Sequence, residues 1–334
     1  MRTPNCLFQT AACLRRAQEN PVLCAADVPY SAALVFNAGV AKFAGRYVML
    51  FRNDYGATEA EFRRGRRFQG TSVGLAESAD GLHWQVRAHP VWEVHDAEIL
   101  RVYDPRLTIL EGRPHVCFAM DTRHGLRGGI AATDDFEHFE VLSLTVPDNR
   151  NLALFPERIG GLYRRLERPM PVYSRNGAPE QFDLWTSASP DLRFWGDNQL
   201  VLGAEQVPFC DAKIGPAAPP IRTPRGWLAI FHAVQSSPHD LYAWHPNWRK
   251  RYYAGLMLLD LEDPSRVVGL SRKPLLVPEA PCETHGFRGE VVFPGGMILE
   301  DSGEVKIYYG AADTVECLAT ADLADLLALC EPLA

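Results

Sequence analysis

One aspartate stands out for its setting. Asp104 lies in VYDPRLT, residues 102–108. A residue before proline is held toward extended conformations, so the Asp104 side chain should leave a strand entrance at a fixed angle, with Arg106 two residues on as a counter-ion. Two readings fit: a positioned general acid, or a turn-forming Asp-Pro with a surface ion pair. Four basic side chains each interrupt an apolar or proline-rich phrase: Arg150 in DNRNLALFP, Arg168 in LERPMP, Lys213 in DAKIGPAAPP and His232 in LAIFHAV. A bare cation among such neighbours is costly unless it meets an anion. Convergent Arg and Lys groups hold phosphate through charge-assisted, often bidentate hydrogen bonds. The alternative is four separate structural ion pairs, such as Arg168 with Glu167.

Other side chains carry less. Asn37 in FNAGV and Asp313 in YYGAADTV sit at opposite ends of the chain and suit either a polyol or a turn. Arg63-Arg64-Gly65-Arg66-Arg67 and Arg249-Lys250-Arg251 read as solvated loops, although Trp244, His245 and Trp248 beside the second cluster could form a sugar-stacking lid. The ten histidines show no HExxH or paired ligand spacing, so no metal is expected. There is no GxSxG, no P-loop and no GxGxxG opening a helix, which removes serine hydrolase, NTPase and Rossmann readings.

The elements that must position these residues repeat. A β-rich run, a glycine turn and a second β-rich run recur at 40–51, 107–118, 156–166, 220–231 and 297–309, with turn glycines Gly45, Gly112, Gly161, Gly226 and Gly303. A second phrase follows, a short strand entering an acidic turn and then an aromatic or aliphatic residue, as in VGLAESADGLHW and GIAATDDFEHF. Short apolar runs bounded by Gly, Pro, Asn and Asp are strands. Five such units fill the chain, and radial repetition protects the edges of small sheets. The expected fold is all-β, a five-bladed β-propeller forming a single domain over 1–334, with a β-sandwich as the rival. Short terminal helices are expected near Ala11–Gln18 and over Ala321–Cys330, where Leu323, Leu326, Leu327 and Leu329 have helical spacing.

Composition sets the outer bounds. The 334 residues are 47% hydrophobic and 22% charged, a globular profile. Asp and Glu exceed Lys and Arg by seven, so the whole-molecule field repels phosphate backbones and nucleic acid is not an expected partner. Eight cysteines without a CxxC pair read as reduced thiols. Residues 1–20 are broken by Arg2, Arg15 and Arg16 and show neither a signal peptide nor a membrane span, so a cytoplasmic location is expected.

At these residues the sequence resembles glycoside hydrolase family 130, the β-mannoside phosphorylases and related mannosidases. The phrases that carry the resemblance run in the family's order: FNAGVAKFAGRYVMLFR, VYDPRLT, NRNLALFPERIGGLY, ERPMP, SPDLRFWG, KIGPAAPPIRTPRGWLAIFHAV, AGLMLLDLEDPSRVVG and VVFPGGMILEDSGEVKIYYGAADT. The resemblance implies a five-bladed propeller, Asp104 as catalytic acid, and Arg150, Arg168, Lys213 and His232 as phosphate-binding positions. It further implies sugar contacts at Asn37, Tyr103, Asn151 and Asp313, with Arg52 at the end of the first phrase counted among them. Two departures stand out: Pro216-Ala217-Ala218 where the family commonly reads AGP, and Glu290 where it has Asn.

The residue types suit phosphorolysis. Inverting hydrolysis needs one carboxyl as acid and a second as base to activate water, whereas phosphate arrives anionic and nucleophilic, so a cationic cradle orients it and a second carboxylate would repel it. The expected products are α-mannose 1-phosphate and a sugar shortened by one unit, with inorganic phosphate as co-substrate and no cofactor. A β-mannosidase with Asp104 as acid and Glu290 or another carboxylate as base, and a non-catalytic glycan-binding propeller, are the other readings. The expected partners are a small oligosaccharide and phosphate; homo-oligomerisation, linkage and acceptor are left open.

Overall fold

The structure is a computed structural model that describes residues 8–170, 182–244 and 246–332. Five antiparallel sheets follow one another along the chain. Blade 1 comprises Leu34–Phe43, Arg46–Tyr55, Gly70–Ser78 and Gln85–Val86; blade 2, Ile99–Leu110, Arg113–Thr122, Gly125–Ala132 and Glu140–Leu144; blade 3, Asn149–Leu154, Tyr163–Pro169, Leu184–Ser189 and Gly196–Leu202. Blade 4 is built on Lys213–Pro216, Gly226–Ser236, Lys250–Leu259 and Val267–Ser271, and blade 5 on Val292–Leu299, Glu304–Ala311 and Val315–Asp322. The first strands of blades 1, 2, 3 and 4 pack side by side in turn, that of blade 5 packs against Gly226–Ser236 and Lys250–Leu259 of blade 4 and against the first strand of blade 1, and the ring closes as a five-bladed propeller.

The five turn glycines all have positive φ, from 76° to 144°, which explains why glycine recurs at the first hairpin of each unit. The acidic turns are equally physical. Asp80, Asp135, Asp191 and Asp260 each accept two backbone N–H groups two and three residues ahead, turning the third strand toward the fourth. The hydrophobic core is divided among the clefts between blades. Val48, Leu50 and Leu75 of blade 1 meet Leu107 and Val116 of blade 2. Leu228, Ile230 and Leu256 of blade 4 meet Val292, Ile307 and Tyr309 of blade 5. Burial is therefore the force that fixes each blade against the next.

The expected helix at Ala11–Gln18 is not formed. Arg15–Arg16 is instead the fourth strand of blade 5, with Arg15 opposite Thr320 and Arg16 opposite Ala319. The reason is an open edge: blade 5 has only three strands of its own, and pairing its free N–H and C=O groups outweighs a weak local helix preference. The C-terminal helix does form, at Leu323–Ala328, and Cys330–Glu331 then adds to blade 4. Two further single-turn α-helices lie at Glu59–Arg63, leading into the first basic cluster, and at Pro281–Thr284. The seven described cysteines are free, with the sulfurs of Cys282 and Cys317 3.9 Å apart.

Candidate active site

The site is made by irregularities in the inner strands. In blades 1, 2 and 3 the ladder shifts register at Asn37, Asp104 and Asn151, and these three residues have φ of 54°, 53° and 60°. Asn and Asp tolerate the left-handed region better than other non-glycine residues, and a bulge re-aims the side chain it carries. Three successive blades thus point a carboxamide, a carboxylate and a carboxamide at the axis. The expected extended backbone before Pro105 is corrected by this: the bulge sets a positive φ at Asp104. Arg106 is likewise no surface counter-ion. It is buried, and its guanidinium donates to the carbonyls of Pro105 at 2.9 Å, Ala217 at 2.9 Å and Asn37 at 3.3 Å, tying blades 1, 2 and 4 together.

All ten residues named above as catalytic, phosphate-binding or sugar-contacting line one cavity of about 200 Å3. On one wall Arg150 and Arg168 stand directly opposite each other in the blade 3 ladder. Like charges so placed repel. Glu167 does not neutralise Arg168; its carboxylate is 2.8 Å from Arg165. Among the described residues no carboxylate forms an ion pair with Arg150, Arg168 or Lys213, and the Nε atoms of both arginines are buried without a hydrogen bond. Arg168 instead donates to His232 Nε2 at 3.2 Å, and Lys213 lies over the Tyr252 ring at 5.3 Å. Gly215 pairs with His232 across blade 4, and a methyl there would come within 2.6 Å of the imidazole and 3.0 Å of the Arg168 side chain. The glycine of KIG is therefore what lets the guanidinium and imidazole close up.

Burial and mutual repulsion show in the titration of these groups. Burial, then Arg168 and Arg150, pulls Lys213 down to about 6. Burial and Arg150 bring Arg168 down to about 9, leaving it a cation at neutral pH. His232 is driven well below its ordinary value by burial and the neighbouring basic groups, so it enters as a neutral ring that orients Arg168 rather than as a further charge. This arrangement is an anion site by its physics: concentrated positive charge out of water, with donors left over.

Opposite that wall, Asp104 accepts from the Asn37 amide at 3.1 Å and lies 3.3 Å from Arg52, which in turn is fixed by Asp54 at 2.7 Å. Burial pushes the Asp104 carboxyl up, but Arg52, Arg106, Asn37 and Arg150 together bring it below its ordinary value, so the free site holds a carboxylate. Tyr103 donates to Asp121 at 2.7 Å and receives a long bond from Arg150 at 3.4 Å. Asn151 lies 3.5 Å from His232 Nε2. Asp313 sits in the turn after Glu304–Ala311, with φ 49°, and accepts from Arg288 at 3.2 Å, so it is a turn residue and a cavity residue at once.

Glu290 is not part of the cavity wall. Its carboxylate, raised by burial, turns to Arg251 at 3.6 Å, which removes it as a water-activating base. Of the lid residues, Trp248 lines the cavity and Trp244 is buried against Phe62, Phe68 and Phe287, while His245 lies outside the described residues. Sequence reasoning missed Tyr252 and Arg288. Strand alternation was the available signal for Tyr252: its neighbour Tyr253 faces the blade core, so Tyr252 must face the cavity. Arg288 lies in a loop with no periodicity to read.

The five-bladed propeller thus carries an axial pocket in which basic side chains without carboxylate partners among the described residues face Asp104, and comparison with known proteins assigns the family. The chain belongs to glycoside hydrolase family 130: the family model, described as beta-1,4-mannooligosaccharide phosphorylase, matches residues 14–332. The chain is 32% identical over 244 residues to a beta-1,2-mannobiose phosphorylase of Listeria innocua, covering 72% of this chain and 64% of that protein. It is 29% identical to a 1,2-beta-oligomannan phosphorylase of Thermoanaerobacter, covering 94% and 98% of the two chains. The solved structure of the Listeria innocua beta-1,2-mannobiose phosphorylase with beta-1,2-mannobiose superposes with a TM-score of 0.79 at 26% identity, over 95% of this chain and 98% of that one.

Proposed function

We propose that the chain is an inverting β-mannoside phosphorylase. The observation that carries this is the opposed Arg150 and Arg168 pair with Lys213 beside it, a buried basic cluster that lacks carboxylate partners among the described residues. Inorganic phosphate supplies the missing charge. One phosphate oxygen attacks the anomeric carbon, the glycosidic C–O bond breaks on the opposite face, and Asp104 delivers a proton to the leaving oxygen, directly or through a sugar hydroxyl. Asn37, Arg52, Tyr103, Asn151 and Asp313 hold the mannosyl unit. No cofactor takes part, because phosphate is itself the nucleophile.

The state of Asp104 fits phosphate entering before the acid acts. Bound phosphate cancels much of the positive potential from Arg150, and a sugar wedged against Arg52 weakens the other, so the carboxyl climbs toward a protonated state only in the loaded site. The competing hydrolase needs a free second carboxylate. Among the described cavity residues Asp54 is held by Arg52 and Thr71, and Asp313 by Arg288. The relatives named above act on β-1,2 linkages, which makes β-1,2-mannobiose the first substrate to try. The reading is tested by incubating mannose 1-phosphate with a panel of acceptor sugars and following phosphate release. Release with mannose or a manno-oligosaccharide supports it; no release with any acceptor counts against it.

A further inference from the structure

We propose that Glu316 is a positioning residue for the catalytic acid, acting from blade 5 by holding the bulge that aims Asn37 at Asp104. The inference rests on the reading of Asp104 given above. Glu316 is the second residue of the strand Val315–Asp322 and is fully buried. One of its carboxylate oxygens accepts the backbone N–H of Ala38 at 3.2 Å, and the other is buried without a hydrogen bond. Burial pushes its carboxyl well above its ordinary value, and a polar group so deeply placed is costly unless it is bonded.

Its bond makes sense through the peptide it grips. The N–H of Ala38 and the C=O of Asn37 belong to one peptide unit, the one the bulge removes from the blade 1 ladder. Glu316 takes the N–H end and Arg106 takes the C=O end, at 3.3 Å. Both orphaned polar groups are satisfied, and the peptide plane cannot rotate. Its surroundings leave no slack. A methyl on Gly310 would strike the Asn37 carboxamide, and one on Gly295 would strike the Ala38 carbonyl. With the plane fixed and φ held at 54°, the Asn37 amide meets Asp104 at 3.1 Å. Glu316 is in turn anchored by the chain-closing segment, since its own N–H and C=O bond with Leu23 and Val22. None of these contacts reaches the blade 3 and blade 4 cations, so loss of Glu316 should disturb the acid and spare phosphate.

The test compares the unmodified enzyme with Glu316→Gln, which keeps an acceptor for the Ala38 N–H, and Glu316→Leu, which does not. In phosphorolysis of β-1,2-mannobiose, Glu316→Leu is expected to lower kcat by about 100-fold with the phosphate KM within about twofold, the scale of a small misplacement of a catalytic group. Glu316→Gln is expected to stay within about threefold of the unmodified kcat. Equal kcat in all three, or equal loss in both variants, overturns the proposal, as does a rise in phosphate KM that matches the fall in kcat. Should Glu316→Leu fail to fold, Glu316→Asp, with its carboxylate drawn back by one methylene, takes its place with the same expected kcat loss. If the unmodified enzyme turns over no β-mannoside, the reaction assigned above fails. Hydrogen exchange at the Ala38 amide then decides the role of Glu316 alone, faster in Glu316→Leu but not Glu316→Gln supporting it and no difference overturning it.

Discussion

The site works by leaving charge unmatched. Arg150, Arg168 and Lys213 crowd together at the expense of the free protein, and the cluster is relieved when an anion arrives. Lys213 makes this measurable. With its value near 6 in the free site, it is mostly neutral at pH 7.5 and is expected to take up a proton if phosphate binds beside it. Calorimetry in buffers of different ionisation enthalpy should show that uptake, and phosphate affinity should fall as pH rises above about 6. The stability of the phosphate-free chain runs the other way through this residue. Between about 6 and the ordinary lysine value of 10.5 the unfolded chain holds the extra proton, so this lysine's effect on stability improves with rising pH. Asp104→Asn is expected to reduce turnover by about 10²–10⁴-fold while phosphate binds at least as tightly, since a negative charge leaves the pocket. Initial rates and a phosphate titration check both halves. The sequence singled out these side chains as cations in apolar phrases, and they line one cavity; their protonation states were not legible, because those depend on neighbours far apart in the chain.

At the scale of elements, bulges and glycines do the aiming. Gly215→Ala should raise the phosphate KM by about tenfold or more by pushing Arg168 and His232 apart, with little change in the sugar contacts on blades 1 and 2. Steady-state kinetics with phosphate as the varied substrate measure it. Turn glycines and Asx turns were readable in the sequence because each follows from one residue's own conformational limits. The bulges at Asn37, Asp104 and Asn151 were not, since a one-residue slip between strands leaves no periodic mark. The N-terminal strand was misread as a helix for a related reason: Arg15 and Arg16 are drawn extended by an edge some 300 residues away, a preference no local window contains.

At the scale of the molecule, closure of the ring joins stability to function. Arg16 ties the closing strand to Glu283 at 2.7 Å, and Glu283 is fully buried. Arg16→Ala should cost about 1–3 kcal/mol of stability by leaving that carboxylate short of a partner, read by urea unfolding, without altering the phosphate KM. The ring also sets the chemistry, because only the axis brings side chains from all five blades to one point. The nucleophile proposed to enter there is phosphate and not water. The most direct measurement is product analysis on β-1,2-mannobiose, and on longer β-mannosides if it is not cleaved, with and without inorganic phosphate. α-Mannose 1-phosphate is expected in the presence of phosphate and no cleavage in its absence. Free mannose released at an equal rate without phosphate would contradict it.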